Sequence, residues 1–312
     1  MKRPTAIPLL CALLLALPAG ASQTSFNNSL GQISVGWQDS EGKPQQLTYR
    51  LEQGKLPPLI AYRPARMQEE VLQVLQVLLR EVRQNYPEVQ FTLARPSLEL
   101  HLKSRNQDKA REAMAFLQSK RSKEEQAWLT KHYFQYFNTP DGQLAVKQDH
   151  VRIALESRSG LAPLADQLKQ QGSTETEARQ KTVAHMLTFI QSIPYQQLDS
   201  LNGRQGKGFL SPRQVLEQNR GDCDSKVTLM AAMLAQLFPE LKQAMVFVPG
   251  HALLAVDLPA KPGDVTLNWQ GQNYLLLEPT GPATLPAGQI ASTSKTLVDS
   301  KQLSVQPVQE KG

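Results

Sequence analysis

Arg220-Gly221-Asp222-Cys223-Asp224-Ser225-Lys226, followed by Val227-Thr228-Leu229-Met230-Ala231-Ala232-Met233-Leu234-Ala235-Gln236-Leu237-Phe238, joins a tight Gly-Asp turn to an apolar helix. The second and last cysteine of the chain stands at the junction. A thiol at a helix start faces unpaired backbone N–H groups and the positive end of the helix dipole, and both favour the thiolate. Cys223 is therefore the candidate nucleophile. Asp222 and Asp224 oppose its ionisation, because adjacent negative charge raises a thiol pKa. Asp222 can direct its carboxylate to the helix N–H groups as a cap, which turns its charge away from sulfur. Even so, the thiol needs an imidazole as an ally.

Upstream, Ser211-Pro212-Arg213 opens a short helix with proline in its first turn, reaching about residue 218. Residues 174–193 read as a longer helix, capped near Ser173 or Thr174 with Glu177 in its first turn and Val183, Met186, Leu187 and Ile190 on one face. His185 is offset from that face and reads as structural, and Pro194 ends the helix. Residues 202–208, with three glycines, read as a mobile connection. Downstream, residues 243–248, 251–258 and 273–277 read as strands, with a weaker one at 265–269. If the strand opened by His251 pairs antiparallel with the one closed by Glu278, the start of one lies opposite the end of the other and the two side chains converge. A meander running through 265–269 would instead part them.

Gly221-Asp222-Cys223-Asp224-Ser225-Lys226 at a helix start, Gly250-His251-Ala252 entering a strand, and Leu277-Glu278-Pro279-Thr280 closing a later strand resemble the Cys, His and Asp blocks of transglutaminase-like proteins, including their bacterial cysteine-peptidase relatives. Phe189-Ile190-Gln191-Ser192-Ile193-Pro194-Tyr195 and Ser211-Pro212-Arg213-Gln214-Val215-Leu216 are also similar to that family's approach to its cysteine, so the resemblance spans about residues 174–281. It implies an α+β fold of the papain/transglutaminase type, with a Cys-bearing helix packed on an antiparallel sheet. Carried over by position, Cys223 is the nucleophile, His251 its base and Glu278 the residue that orients the imidazole. The family usually has Asp in the third block. Glu reaches about one bond length further, so the strand or the rotamer has to compensate. Asp257 is the reserve orienter, although it lies at the far end of the His251 strand. The backbone N–H of Cys223 is a natural first oxyanion donor, and no upstream side chain is distinguished as a second.

The first half carries no catalytic signature. Strands are expected at 32–37 and 46–52, a helix at 65–84, strands at 89–93 and 98–103, and two helices at 106–119 and 123–137, the second bearing Trp128, Tyr133, Phe134 and Phe137 as packing residues. His101 falls on the polar phase of its strand, and residues 143–146 and 150–155 could pair as a hairpin with His150 near its polar tip. From Pro282 onward the chain is rich in Ser, Thr, Gln and Lys; a short packed segment is expected near Leu297-Val298 and poor order over the last ten residues.

At the other end, Lys2-Arg3 precede the apolar run from Ile7 to Leu17, and Ala19-Gly20-Ala21 offers a signal-peptidase site. The run is too short to span a bilayer of roughly 30 Å, so residues 1–21 are expected to be a removable export signal. Its loss takes Cys11 away and leaves Cys223 without an intramolecular partner. It also removes Lys2 and Arg3, which takes the formal charge from +6 to +4.

The remaining basic residues are interspersed with acids, without a basic stripe and interleaved aromatics, which argues against nucleic-acid binding. One mature cysteine and five scattered histidines lack metal-ligand spacing, and Gly203, Gly206 and Gly208 lack the ending of a phosphate loop. No metal and no cofactor is expected. The expected organisation is a signal at 1–21, a smaller α+β accessory domain at 22–160, a transglutaminase-like domain at 161–290 and a polar tail at 291–312. The expected function is an exported, periplasmic, thiol-dependent hydrolase acting on a protein or peptide, with the accessory domain free to dock an envelope partner. The alternatives are a non-catalytic binding module on the same fold and a protein-crosslinking transglutaminase.

Overall fold

The computed structural model describes residues 23–60, 62–94, 99–138, 142–198 and 208–309. The expected signal at 1–21, and all of the expected glycine-rich connection except Gly208, lie outside the described residues. The described residues are 43% helical and 25% strand with antiparallel sheets, a mix compatible with an α+β class.

Strands β1 (Gln23–Ser29), β2 (Gln32–Gln38) and β3 (Pro44–Arg50) form an antiparallel meander. Alternation puts Ile33, Val35, Trp37, Leu47 and Tyr49 on one buried face. Helix α1 (Pro64–Asn85), the hairpin of β4 (Gln90–Ala94) and β5 (Glu99–Lys103), helix α2 (Gln107–Lys131) and the hairpin of β6 (Phe134–Asn138) and β7 (Leu144–Gln148) follow. They pack in two smaller clusters, one around Val82, Val89, Phe91 and Leu117 and one around Val71, Leu75, Trp128, Leu129 and Phe134.

Three expectations in this half are corrected. The two helices at 106–119 and 123–137 are one helix, α2, because Lys120-Arg121-Ser122 contains neither glycine nor proline to break it. That helix starts at Asn106, whose side chain accepts from the N–H groups of Asp108 and Lys109, and ends where Tyr133 adopts a φ of 64°. Phe134–Asn138 is then a strand, and it, rather than residues 150–155, pairs with β7. His150–Ser157 is helix α3, capped by Asp149, and His150 is 3% exposed instead of standing at a polar tip.

Helices α4 (Ala162–Gln167), α5 (Glu175–Ser192), α6 (Pro212–Gln218) and α7 (Cys223–Leu237) come next. Their starts are locally encoded. Thr174 accepts from the N–H of Glu177, Ser211 and Gln214 form a capping box, and Asp222 accepts from the N–H of Ser225. The second sheet contains β8 (Gln243–Val248), β9 (His251–Val256), β10 (Thr266–Trp269), β11 (Gln272–Leu277) and, beyond helix α8 (Ser292–Asp299), β12 (Ser304–Pro307). Its order is β10-β11-β9-β8-β12, with every neighbouring pair antiparallel. The segment at 265–269 is thus an outer hairpin arm, and β11 lies directly beside β9. β12 falls within the stretch expected to be poorly ordered; it gains order by completing the ladder along β8.

The sheet is covered on both faces. Met245, Ala252, Leu254, Val256, Leu275 and Leu277 join α7 in the largest core, while Ala244, Val246, Leu253, Ala255 and Leu276 pack with Val298 of α8. Packing does not divide at residue 160. The largest core also takes in Ile33, Val35, Trp37, Leu47 and Tyr49 from the first meander. Trp37 lies against Phe189 and His185 of α5, with ring centroids 5.3 and 5.4 Å away, and its Nε1–H donates to Thr188 at 3.3 Å.

Candidate active site

The turn before α7 is built by close approach. Gly221 donates its N–H to Pro194 O at 3.2 Å and accepts from the N–H of Gln196 at 3.1 Å. A Cβ at Gly221 would meet Val215 Cγ2 at 3.3 Å and Lys226 Cγ at 3.4 Å, so glycine suits the crossing. Asp222 is 5% exposed and accepts from both the N–H and the hydroxyl of Ser225, at 3.1 and 2.6 Å. Burial nevertheless pushes its carboxyl above the ordinary range.

Cys223 is the first residue of α7 and is 7% exposed. Its S–H donates to Asp224 Oδ1 at 3.2 Å. Burial pushes the thiol pKa up, and the Asp224 and Asp222 carboxylates push it further in the same direction. On the far side of Asp224, Oδ2 is 4.0 Å from Nε2 of the buried His150. That imidazole is wedged against Phe209 and Phe247, with centroids 5.0 and 5.4 Å away, and burial pulls it down to about 4. Lys147 of β7 places its ammonium 4.2 Å from the centre of the Phe247 ring. Burial lowers the Lys147 pKa, while Asp224 and Asp149 act to raise it.

His251 opens β9, and Glu278 follows the last residue of β11. The β9–β11 register sets Leu277 opposite Leu254, which brings the two side chains together: His251 Nε2 and Glu278 Oε1 are 2.9 Å apart. The carboxylate is also held from a direction that the sequence did not reveal. Its Oε2 accepts the N–H of Ala291, the residue that caps α8, at 2.8 Å, and Ser294 of α8 adds a further hydrogen bond. Burial alone would raise the Glu278 pKa, but these hydrogen bonds, led by that from His251, hold it below the ordinary value. The additional methylene of Glu over Asp lets one carboxylate bridge the imidazole and the helix start.

The structure therefore brings His251 and Glu278 together and leaves Cys223 with a different partner. Among the described residues no hydrogen bond joins the thiol to His251, and the S–H is turned to Asp224. Along β9, Leu253 and Ala255 pack toward α8, and Leu254 and Val256 toward α7. The reserve orienter Asp257 lies beyond the end of β9 and takes no part in this pair.

A buried cation connects the two halves. Lys226, one turn along α7 from Cys223, is fully buried, and its ammonium donates to the carbonyls of Ile193 and Thr280. Burial pulls its pKa down to about 7, against the opposing effect of the Asp222 carboxylate. From α5, the buried Gln191 donates through Nε2 to the carbonyls of Glu278 and Leu285, at 3.0 and 2.9 Å. Sequence reasoning missed both Lys226 and His150: the available signals were a lysine in the first turn directly before the apolar run that opens at Val227, and Asp149 as a cap before an apolar helical pattern. The contact of α8 with Glu278 left no local trace.

Among the described residues, no group of three or more His, Cys, Asp and Glu side chains is arranged to hold a metal ion, and no helix is long and apolar enough to cross a membrane. Comparison with family models, with curated proteins and with solved structures found no match in any of the three.

Proposed function

We propose that this chain is an exported, periplasmic thiol-dependent hydrolase of transglutaminase-like type, cleaving an amide bond in a protein or peptide. The observation that carries this reading is the His251–Glu278 pair at 2.9 Å, braced by the Ala291 N–H. Glu278 engages Nε2, so Nδ1 is the nitrogen available to exchange a proton. In the proposed reaction the Cys223 proton passes to His251, and the thiolate attacks the amide carbonyl. His251 returns the proton to the departing amine, and water then releases the acyl group from sulfur. Before that, the S–H has to leave Asp224 and turn toward the imidazole.

A second reading, a non-catalytic binding module on the same framework, draws on the thiol itself. Cys223 is buried, bonded to Asp224 and raised in pKa, all of which suit an inert cysteine. Iodoacetamide labelling across pH separates the two. The hydrolase reading expects labelling well below about pH 8 that vanishes in Cys223→Ser and drops in His251→Ala. Slow labelling that ignores the histidine would leave the binding module standing. Amine incorporation into a protein substrate, rather than release of the free acid, would indicate a crosslinking transglutaminase.

A further inference from the structure

The strap that begins at Glu278 is held from below by two buried donors on two different helices. Lys226 of α7 grips the carbonyl of Thr280, two residues beyond Glu278, and also the carbonyl of Ile193 where α5 ends. Gln191 of α5 grips the carbonyl of Glu278 itself and that of Leu285. Both side chains are fully buried, and an isolated ammonium or amide at such a depth is costly unless its hydrogen bonds are made. Contact between strap and helix is close: Gly281 has a φ of 61°, and a Cβ there would lie 2.3 Å from the Gln191 carbonyl oxygen. Apolar side chains would fill this volume at lower desolvation cost. What donors add is a fixed distance between particular backbone atoms and particular helices.

We propose that Lys226 and Gln191 are positioning residues, which hold the strap carrying Glu278 against α7 and α5 and so set where the His251–Glu278 pair stands relative to the Cys223 thiol. Lys226 is one helical turn from the thiol and binds the strap two residues from the carboxylate, so its side chain spans the gap between the two halves of the site. This rests on reading Cys223, His251 and Glu278 as one site.

The test uses the purified full chain carrying Lys226→Met or Gln191→Met, each close in length to the original and lacking the donor. Three quantities are followed: the thermal midpoint, the low-field proton resonance of His251 Nε2–H, and the rate of Cys223 labelling by iodoacetamide from acid to alkaline pH. The resonance is identified by its disappearance in His251→Ala and its shift in Glu278→Gln. The expected result is a folded variant in which that resonance is lost or moved as in Glu278→Gln. The His251-dependent part of labelling should also fall by about tenfold or more, the scale on which misplacing reacting groups acts. A lowered thermal midpoint with the resonance in its wild-type position overturns the proposal, since mere packing residues would do that. If Lys226→Met does not fold, Gln191→Met carries the test, and failure of both to fold also overturns it in favour of a structural role. Wild-type labelling indifferent to His251→Ala would sink the hydrolase reading alone, with the resonance still deciding the clamp.

Discussion

The Cys223 thiol is pulled in opposite directions by its backbone and by its neighbours. A helix start stabilises a charge by about 0.3–2 kcal/mol, or roughly one pKa unit. Burial of a charged group costs up to about 3–5 units, and two adjacent carboxylates add to it. Burial and Asp224 therefore win in this conformation, and the thiol stays protonated. The sign of the Asp224 effect leads to a direct experiment. Removing its charge in Asp224→Asn lowers the thiol pKa, and near neutral pH each unit of lowering multiplies the thiolate by about ten. Iodoacetamide labelling of Cys223 at neutral pH is expected to accelerate accordingly. A rate equal to or below wild type would mean that the carboxylate does not restrain the thiol.

At the scale of elements, the segment after Pro282 has a larger role than its polar composition suggests. Helix α8 supplies the Ala291 N–H and Ser294 to Glu278, and β12 closes the edge of β8. Ala291 has a φ of −57°, close to the value a proline ring imposes, so Ala291→Pro removes the donor with little backbone cost. A hydrogen bond to a charged group contributes about 1.5–3 kcal/mol. The variant should therefore lose stability on that scale near neutral pH and regain parity with wild type in acid. The sign follows from linkage: a carboxylate held below its ordinary pKa stabilises the fold above the unfolded value, and that contribution disappears as pH falls through the folded one. Urea unfolding at several pH values checks this. A loss equal at all pH values would assign the effect to the backbone instead.

For the molecule as a whole, the first meander and the Cys-bearing helix share one core, with Trp37 lodged against α5. A fragment beginning at residue 161 would expose the faces that Trp37, Tyr49 and Ile33 cover, and is expected to melt without a cooperative transition. A sharp thermal transition for that fragment, matching the intact chain, would instead support an independently folding domain beginning at residue 161. The sequence by itself determined the local grammar. The caps at Thr174, Ser211 and Asp222 lie within three residues of the N–H groups they satisfy, and the long helix from residue 175 and the strands β8, β9 and β11 follow from apolar periodicity, whereas α4 and β12 did not. It also carried the condition under which His251 and Glu278 would meet, but not which of the two strand orders would be adopted. Tertiary structure decided that order, turned the Cys223 proton to Asp224, buried His150 behind it and brought α8 to Glu278. The physical reason is range. Capping and periodicity are settled within a helical turn or a strand, whereas the strand order, the burial of His150 against Asp224 and the approach of α8 to Glu278 join residues 13 or more positions apart, and the burial of shared apolar faces selects them.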